Sequence, residues 1–311
     1  MKVIFMGTPD FAAAALEAIV KAGHEVVAVV TQPDKAKGRS DKLLPPPVKE
    51  VALQHGIPVL QPERIKHPEA VEQLRAYPAD IFVVAAFGQI LSREILEMPR
   101  FGCVNIHASL LPKYRGAAPI QWSILDGEKE TGITIMQMGV GLDDGDILLQ
   151  SRVPILDTDT GDSLFDKLRE EGARLIVEAL PKIEAGELIP VPQDESQATH
   201  VGKIEKSMGK LDFHRTAVVL DRQIRGLNSW PSCFCRYHGK QLKIWEAKPL
   251  PTEKAKGEPG EITEVAKDSF TVQTGEGQLQ VTSVQLEGKK RMTVKDFLLG
   301  VHMETGETLE Q

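Results

Sequence analysis

Over its first 150 residues the chain alternates short apolar, β-branched runs with helical patterns, and this alternation constrains the fold more than any other feature. Residues 3–6 are a continuous apolar run and 25–30, opening on Glu25, are a continuous, largely β-branched one, the pattern of strands buried on both faces. Between them, residues 11–21 are rich in alanine and are followed by Gly23, which reads as a helix with its terminator. Helical patterns at 48–55 and 68–76, and strands at 59–60, 81–87, 102–107 and 133–138, continue the order. Repeated strand–helix–strand units need crossovers, so they predict an α/β fold: a doubly wound, mainly parallel sheet with helices on both faces. A further helix is expected over 163–185, where Leu164, Leu168, Ile176 and Leu180 fall near helical spacing.

After Gly186 the texture changes. Pro190, Pro192, Gln193 and Ser196 lie in a polar stretch that reads as a linker. A helix over 216–227 carries a stripe of Ala217, Leu220, Ile224 and Leu227. Beyond Trp230-Pro231, short strands at 242–245, 261–265, 269–274 and 278–286 are separated by turns. Leu279 and Val281 alternate, then the phase slips to Val284 and Leu286, which predicts a bulge. The expected plan is a first domain at 1–188, a linker at 189–206 and a small OB-like antiparallel β-barrel at 207–311.

The 311 residues carry a net charge of −7, which as a whole speaks against a polyanionic partner. The charge is uneven, however. Residues 1–206 carry −8, whereas 207–311 hold 15 Lys/Arg against 14 Asp/Glu. Within the acidic part, residues 35–49 hold Lys35, Lys37, Arg39, Lys42 and Lys49 against Asp41, a net of +4. Two further basic clusters lie later: Lys203, Lys206, Lys210 and Arg215, and Lys289-Lys290-Arg291 with Lys295. Such runs are usually solvated surface, but Gly38 and the stiff Pro45-Pro46-Pro47 exit suit a loop that orders on binding. Cys103, Cys233 and Cys235 are too few for a disulfide framework and read as core thiols. No stretch approaches the roughly 20 apolar residues of a membrane span, and the start lacks a leader's apolar core. A cytoplasmic chain with no membrane partner is expected.

Two segments carry chemistry. Gly7-Thr8-Pro9-Asp10 follows the first strand, but a dinucleotide fingerprint needs three glycines and Pro9 removes a donor, so a nicotinamide enzyme is disfavoured. Asn105 and His107 alternate with Val104 and Ile106, so both leave one face of a strand at its carboxyl end, where open α/β sheets place ligands. An amide that donates a fixed hydrogen bond and an imidazole that can add charge suit a developing oxyanion. Gly139-Val140-Gly141-Leu142-Asp143-Asp144-Gly145-Asp146 supplies carboxylates that can orient the histidine. Its spacing does not fit a calcium loop, and no ligand set for another metal occurs.

Asn105 and His107, Ser109-Leu110-Leu111-Pro112 and Asp143-Asp144-Gly145-Asp146 resemble the 10-formyltetrahydrofolate-dependent formyltransferase family. Gly7-Thr8-Pro9-Asp10-Phe11, Thr31-Gln32-Pro33-Asp34, Tyr114-Arg115-Gly116-Ala117-Ala118-Pro119-Ile120-Gln121 and Ile135-Met136-Gln137-Met138 extend the match to its branch that acts on charged initiator tRNA. The resemblance spans essentially the whole chain and is densest over 1–150. It implies a catalytic triad of Asn105, His107 and Asp143, with Ser109, Leu110, Leu111 and Pro112 at the folate cosubstrate, 10-formyltetrahydrofolate, and no metal. It also implies an acceptor, the α-amino group of methionine on initiator tRNA, reached through the loop at 34–47 and the second domain. Lys35, Lys37, Arg39, Lys42, Lys206 and Lys210 are the expected tRNA contacts, with Arg39 the best match for a residue entering the acceptor stem. A monomer is expected. A small amine as acceptor, or an RNA-binding protein without catalysis, are the alternatives. The basic loop and second domain disfavour the first, and the complete triad disfavours the second.

Overall fold

The computed structural model describes residues 1–36, 42–252 and 254–311. They form two compact units: Met1–Pro119, Glu130–Pro154 and Phe165–Val201 in one, and Ile120–Lys129, Ile155–Leu164 and Gly202–Gln311 in the other.

The first unit is built on a seven-stranded sheet in the order Ile147–Pro154, Glu130–Gln137, Cys103–His107, Ile81–Ala85, Lys2–Gly7, Glu25–Val30, Val59–Leu60. The last five are parallel to one another. Glu130–Gln137 pairs antiparallel with Cys103–His107, and Ile147–Pro154 pairs antiparallel with Glu130–Gln137. The expected mainly parallel sheet is therefore present, with Glu130–Gln137 the one strand of the seven that runs against the others. On one face Ile4, Met6, Ala28, Val30, Phe82 and Val84 pack with Ala70, Val71 and Leu74 of the helix Pro68–Arg75 and with Ile95 of Arg93–Leu96. On the other face lie the equally buried Val3, Phe5, Val29 and Val83. There the long helix Gly161–Glu184 approaches closely at Gly172, where a Cβ would meet Ile106, Phe11 and Ile133. Burial on both faces explains why these strands are unbroken apolar runs.

The second unit holds an antiparallel sheet in the order Cys233–Tyr237, Lys240–Leu250, Gln278–Leu286, Phe270–Gln273, Ile262–Val265, with Met292–Thr293 also on Gln278–Leu286. The helix Ala217–Gly226, capped by the Thr216 hydroxyl accepting from the Val219 N–H, buries Leu220 and Ile224 in its core. The phase slip expected after Val281 is a true irregularity: Ile244 pairs Val284, Glu246 pairs Ser283 and Ala247 pairs Val281. Cys233 and Cys235 point into this core from one side of their strand, and burial pushes the Cys233 thiol up to about 12. Among the described residues the two edge strands do not pair with each other. Instead the C-terminal segment bridges Glu310 to Arg236 in one of them and Thr308 to Glu261, the residue before the other.

Candidate active site at the carboxyl end of the parallel strands

The strand order reverses beside Lys2–Gly7: the chain first adds strands on one side of it and then returns to place Ile81–Ala85 on the other. At such a switch point the loops leaving adjacent carboxyl ends diverge and open a crevice. The Thr8 hydroxyl donates to the Phe87 carbonyl at 3.2 Å, as does Gln32 Nε2 at 3.2 Å. Ala86 and Gly88 have φ of 45° and 86°, so the chain leaves the sheet abruptly there. The apolar pattern predicts a strand on to residue 87, whereas the strand ends at Ala85; Gly88 is the local signal of that exit.

Cys103, Asn105 and His107 share one face of the next strand. Cys103 packs in the core, and Asn105 and His107 follow it toward the carboxyl end of the strand. Asn105 is half-buried, and among the described residues nothing hydrogen-bonds its carboxamide. His107 is buried, with Nε2 2.9 Å from the Tyr114 carbonyl oxygen. A carbonyl only accepts, so Nε2 carries a proton and Nδ1 is the nitrogen left for chemistry. Asp143 Oδ2 lies 3.8 Å from Nδ1, a charge neighbour beyond hydrogen-bond length. That same oxygen accepts the Gly116 N–H at 2.8 Å. Asp143, held by a backbone donor, thus lies near the His107 imidazole, and Asn105 shares a strand face with His107.

Ser109–Pro112 follows this strand as a tightly bonded turn. Buried Thr134 donates to the Ser109 carbonyl at 2.7 Å and accepts the Leu111 N–H at 3.1 Å. Gln150 Nε2 donates to both the Leu111 carbonyl and Thr134 Oγ1, each at 2.9 Å. Ser109 is fully buried and its hydroxyl donates to the Lys113 carbonyl at 2.6 Å; Leu111 is buried too. Half-buried Leu110 and Pro112 are the members of the turn with surface to offer a ligand.

The acidic loop is closely fitted. Asp143 is left-handed, with φ of 52°, and a Cβ on Gly145 would overlap the Gln137 carbonyl oxygen. Gly145→Ala is therefore expected to displace the loop, lowering stability by about 1–3 kcal/mol in denaturant unfolding and activity with it. Gln193, Arg115 and Glu195 brace the loop from behind; residues 191–201, read as part of a linker, run along the first unit, with Val191 bridging Ile147 and His200 and Val201 pairing Arg115 and Gly116. Sequence reasoning missed these partners, as it missed Thr134 and Gln150.

Lys35 and Lys42 are exposed, in or beside the short ladder that pairs Lys35 with Leu44. Lys37 and Arg39 lie outside the described residues. Lys49 is held by Asp34 at 2.9 Å and by Gln61, so its charge is neutralised locally. Lys206 and Lys210 are exposed at the 3-10 turn Lys206–Gly209 of the second unit. Among the described residues no group of three or more His, Cys, Asp or Glu is placed to hold a metal ion, and no helix is long and apolar enough to cross a membrane.

Two family descriptions match this chain: formyl transferase over residues 1–180, and formyl transferase, C-terminal domain, over 203–302. A methionyl-tRNA formyltransferase of Lachnospira eligens is 53% identical over 98% of both chains. That of Bacillus subtilis is 48% identical over 99% of this chain and 97% of its own. Among solved structures, the sugar 3N-formyl transferase WlaRD, solved in the presence of dTDP and 5-N-formyl-THF, is similar at TM-score 0.67 and 20% identity, covering 93% of this chain and 99% of that one. HypX from Aquifex aeolicus, in complex with tetrahydrofolic acid, gives 0.65 and 18%; all of this chain spans 51% of it.

Proposed function

This chain belongs to the formyl transferase family, and from that premise we propose that it transfers the formyl group of 10-formyltetrahydrofolate to the α-amino group of methionine on initiator tRNA. The observation that carries the acceptor is the 53% identity to a methionyl-tRNA formyltransferase along 98% of both chains. The donor chemistry is supported by the site. Half-buried Leu110 and Pro112 offer apolar surface, and the irregular backbone after Ala85 offers peptide groups outside the sheet ladder. Together they suit a flat, uncharged heterocycle with a hydrogen-bonding edge.

The folate supplies the formyl carbon at the oxidation level of the product, so the transfer needs no redox step. As the amine nitrogen bonds to the formyl carbon, the formyl oxygen gains negative charge and the Asn105 carboxamide donates to it. Collapse of this adduct breaks the bond from the formyl carbon to folate N10, and the proton lost by the amine ends on N10 of the departing tetrahydrofolate. His107, with Nε2–H fixed on Tyr114, uses Nδ1 to hold or pass a proton at that centre. Asp143 stabilises positive charge on the imidazole and stands ready to relay the amine's proton. Charge neutralisation and proton transfer thus come from three neighbouring side chains of one chain, which supports a monomer. A charged tRNA as acceptor supports a cytoplasmic location. The proposed organisation is a catalytic and folate-binding domain at 1–188, a connecting segment at 189–206 and a tRNA-binding OB-like barrel at 207–311.

The deciding assay supplies 10-formyltetrahydrofolate with methionyl initiator tRNA, methionyl elongator tRNA, free methionine and an amino sugar in parallel. Formylation of the first alone is expected; preference for the amino sugar overturns the acceptor. Lys35, Lys37, Arg39, Lys42, Lys206 and Lys210 are proposed to contact phosphates, positioning the RNA without reading its bases. Arg39→Ala is expected to raise KM for the tRNA about tenfold, the effect of one lost contact, and to flatten the salt dependence by about one charge. Donor KM stays constant. Parent-like kinetics at physiological salt make the loop a solvated face.

A further inference from the structure

We propose that Gln193 is a positioning residue for Asp143, acting from the segment behind the acidic loop; the inference rests on the formyl-transfer reading of this site. Gln193 is 9% exposed, and all of its hydrogen-bonding capacity faces inward. Its Nε2 donates to the Asp143 carbonyl at 2.9 Å and to the Gly145 carbonyl at 2.7 Å, with Met136 Sδ at 3.7 Å. Its Oε1 accepts from Arg115 Nε at 3.0 Å and from Nη2 at 2.9 Å. Arg115, 3% exposed, is in turn clamped by Glu195, Nη2 to Oε1 at 2.7 Å and Nη1 to Oε2 at 3.1 Å.

These contacts close a ring around Asp143. The residue after Arg115 is Gly116, whose N–H grips the Asp143 carboxylate, while Gln193 grips the main chain on which that carboxylate is carried. The loop needs an external hold. Gly139, Gly141 and Gly145 leave its backbone many conformations, and Asp143 itself sits in the left-handed region. Two carbonyls converging on one point require a donor with two hydrogens, and the neighbouring guanidinium requires an acceptor. Among side chains of this length only a glutamine supplies both. Its amide orientation is forced, because a flipped amide would turn NH2 toward Arg115 and oxygen toward the carbonyls. Displacing a reacting group by about 1 Å costs on the order of a hundredfold in rate, so the hold on Asp143 is felt in turnover.

The test is a double-mutant cycle in the full-length chain, with 10-formyltetrahydrofolate and methionyl initiator tRNA. Gln193→Glu keeps shape and the Arg115 pairing but lacks both donors, so kcat is expected to fall about 30-fold while KM for each substrate stays within about threefold. In an Asp143→Asn background the same change is expected to cost less than about threefold, because its route to the chemistry is already gone. Gln193→Asn, which keeps the NH2 one methylene short, is the companion variant should Gln193→Glu fold poorly, and melting curves accompany each. A kcat near the parent's in the single variants, or losses that multiply in the double variant, overturn the positioning role. A parent chain that formylates no acceptor instead overturns the functional reading, and this inference falls with it.

Discussion

His107→Ala is expected to lower turnover of methionyl initiator tRNA by about a thousandfold, within the range for removing a general acid–base group. KM for either substrate should change little, because the imidazole acts on charge that appears only as the amine attacks. The substitution has a structural cost that must be separated from this. Buried Tyr114 loses the donor to its carbonyl, worth about 1–3 kcal/mol when nothing replaces it. A unit of this size tolerates that loss, so the variant should melt a few degrees lower yet remain folded. Turnover by folded protein within tenfold of the parent would sink the assignment of His107. His107→Asn is a useful companion: it can restore a donor near Tyr114 and recover stability, but not the titrating nitrogen, so its activity should stay low.

The parallel strands were legible in sequence because burial on both faces leaves no polar positions to blur them. Val3 to Met6 and Ile81 to Ala85 are all buried. Ile147–Pro154 was not legible: it is an edge strand whose residues are half-buried or exposed, and Gln150, Ser151 and Arg152 resemble a loop. The strand Cys233–Tyr237 was hidden for another reason, since its alternating buried positions are two cysteines and a tyrosine. The common face of Asn105 and His107 was legible because a strand's two-residue period puts them together from spacing alone. The approach of Asp143 depends on a sheet register between strands far apart in sequence, and was reached through family resemblance. The bracing by Gln193 had no local signal. Pro190, Pro192 and Ser196 mark irregular backbone but do not say what it packs against. Arg115 stood inside a quoted motif, yet only its contacts with Gln193 and Glu195 reveal why a buried guanidinium belongs there.

Asn105 permits a cleaner separation of catalysis from stability. Its carboxamide is half-buried and, among the described residues, makes no hydrogen bond, so truncation leaves no protein group unpaired. Val104 and Ile106, its neighbours on the other face, keep the strand in place, and the pairings with Val84 and Met136 are main-chain ones. Asn105→Ala should therefore melt close to the parent while losing about 100- to 1,000-fold in kcat, the effect of deleting one oxyanion donor, or about 2.7–4 kcal/mol. Asn105→Asp is expected to be worse than alanine although nearly isosteric. An ionised carboxylate cannot donate, and it adds negative charge where the formyl oxygen becomes anionic. The ordering parent, alanine, aspartate in kcat is the diagnostic result. If aspartate matches asparagine, or alanine retains more than about a tenth of parental turnover, Asn105 serves the strand rather than the transition state, and the formyl oxygen is stabilised from elsewhere in the crevice.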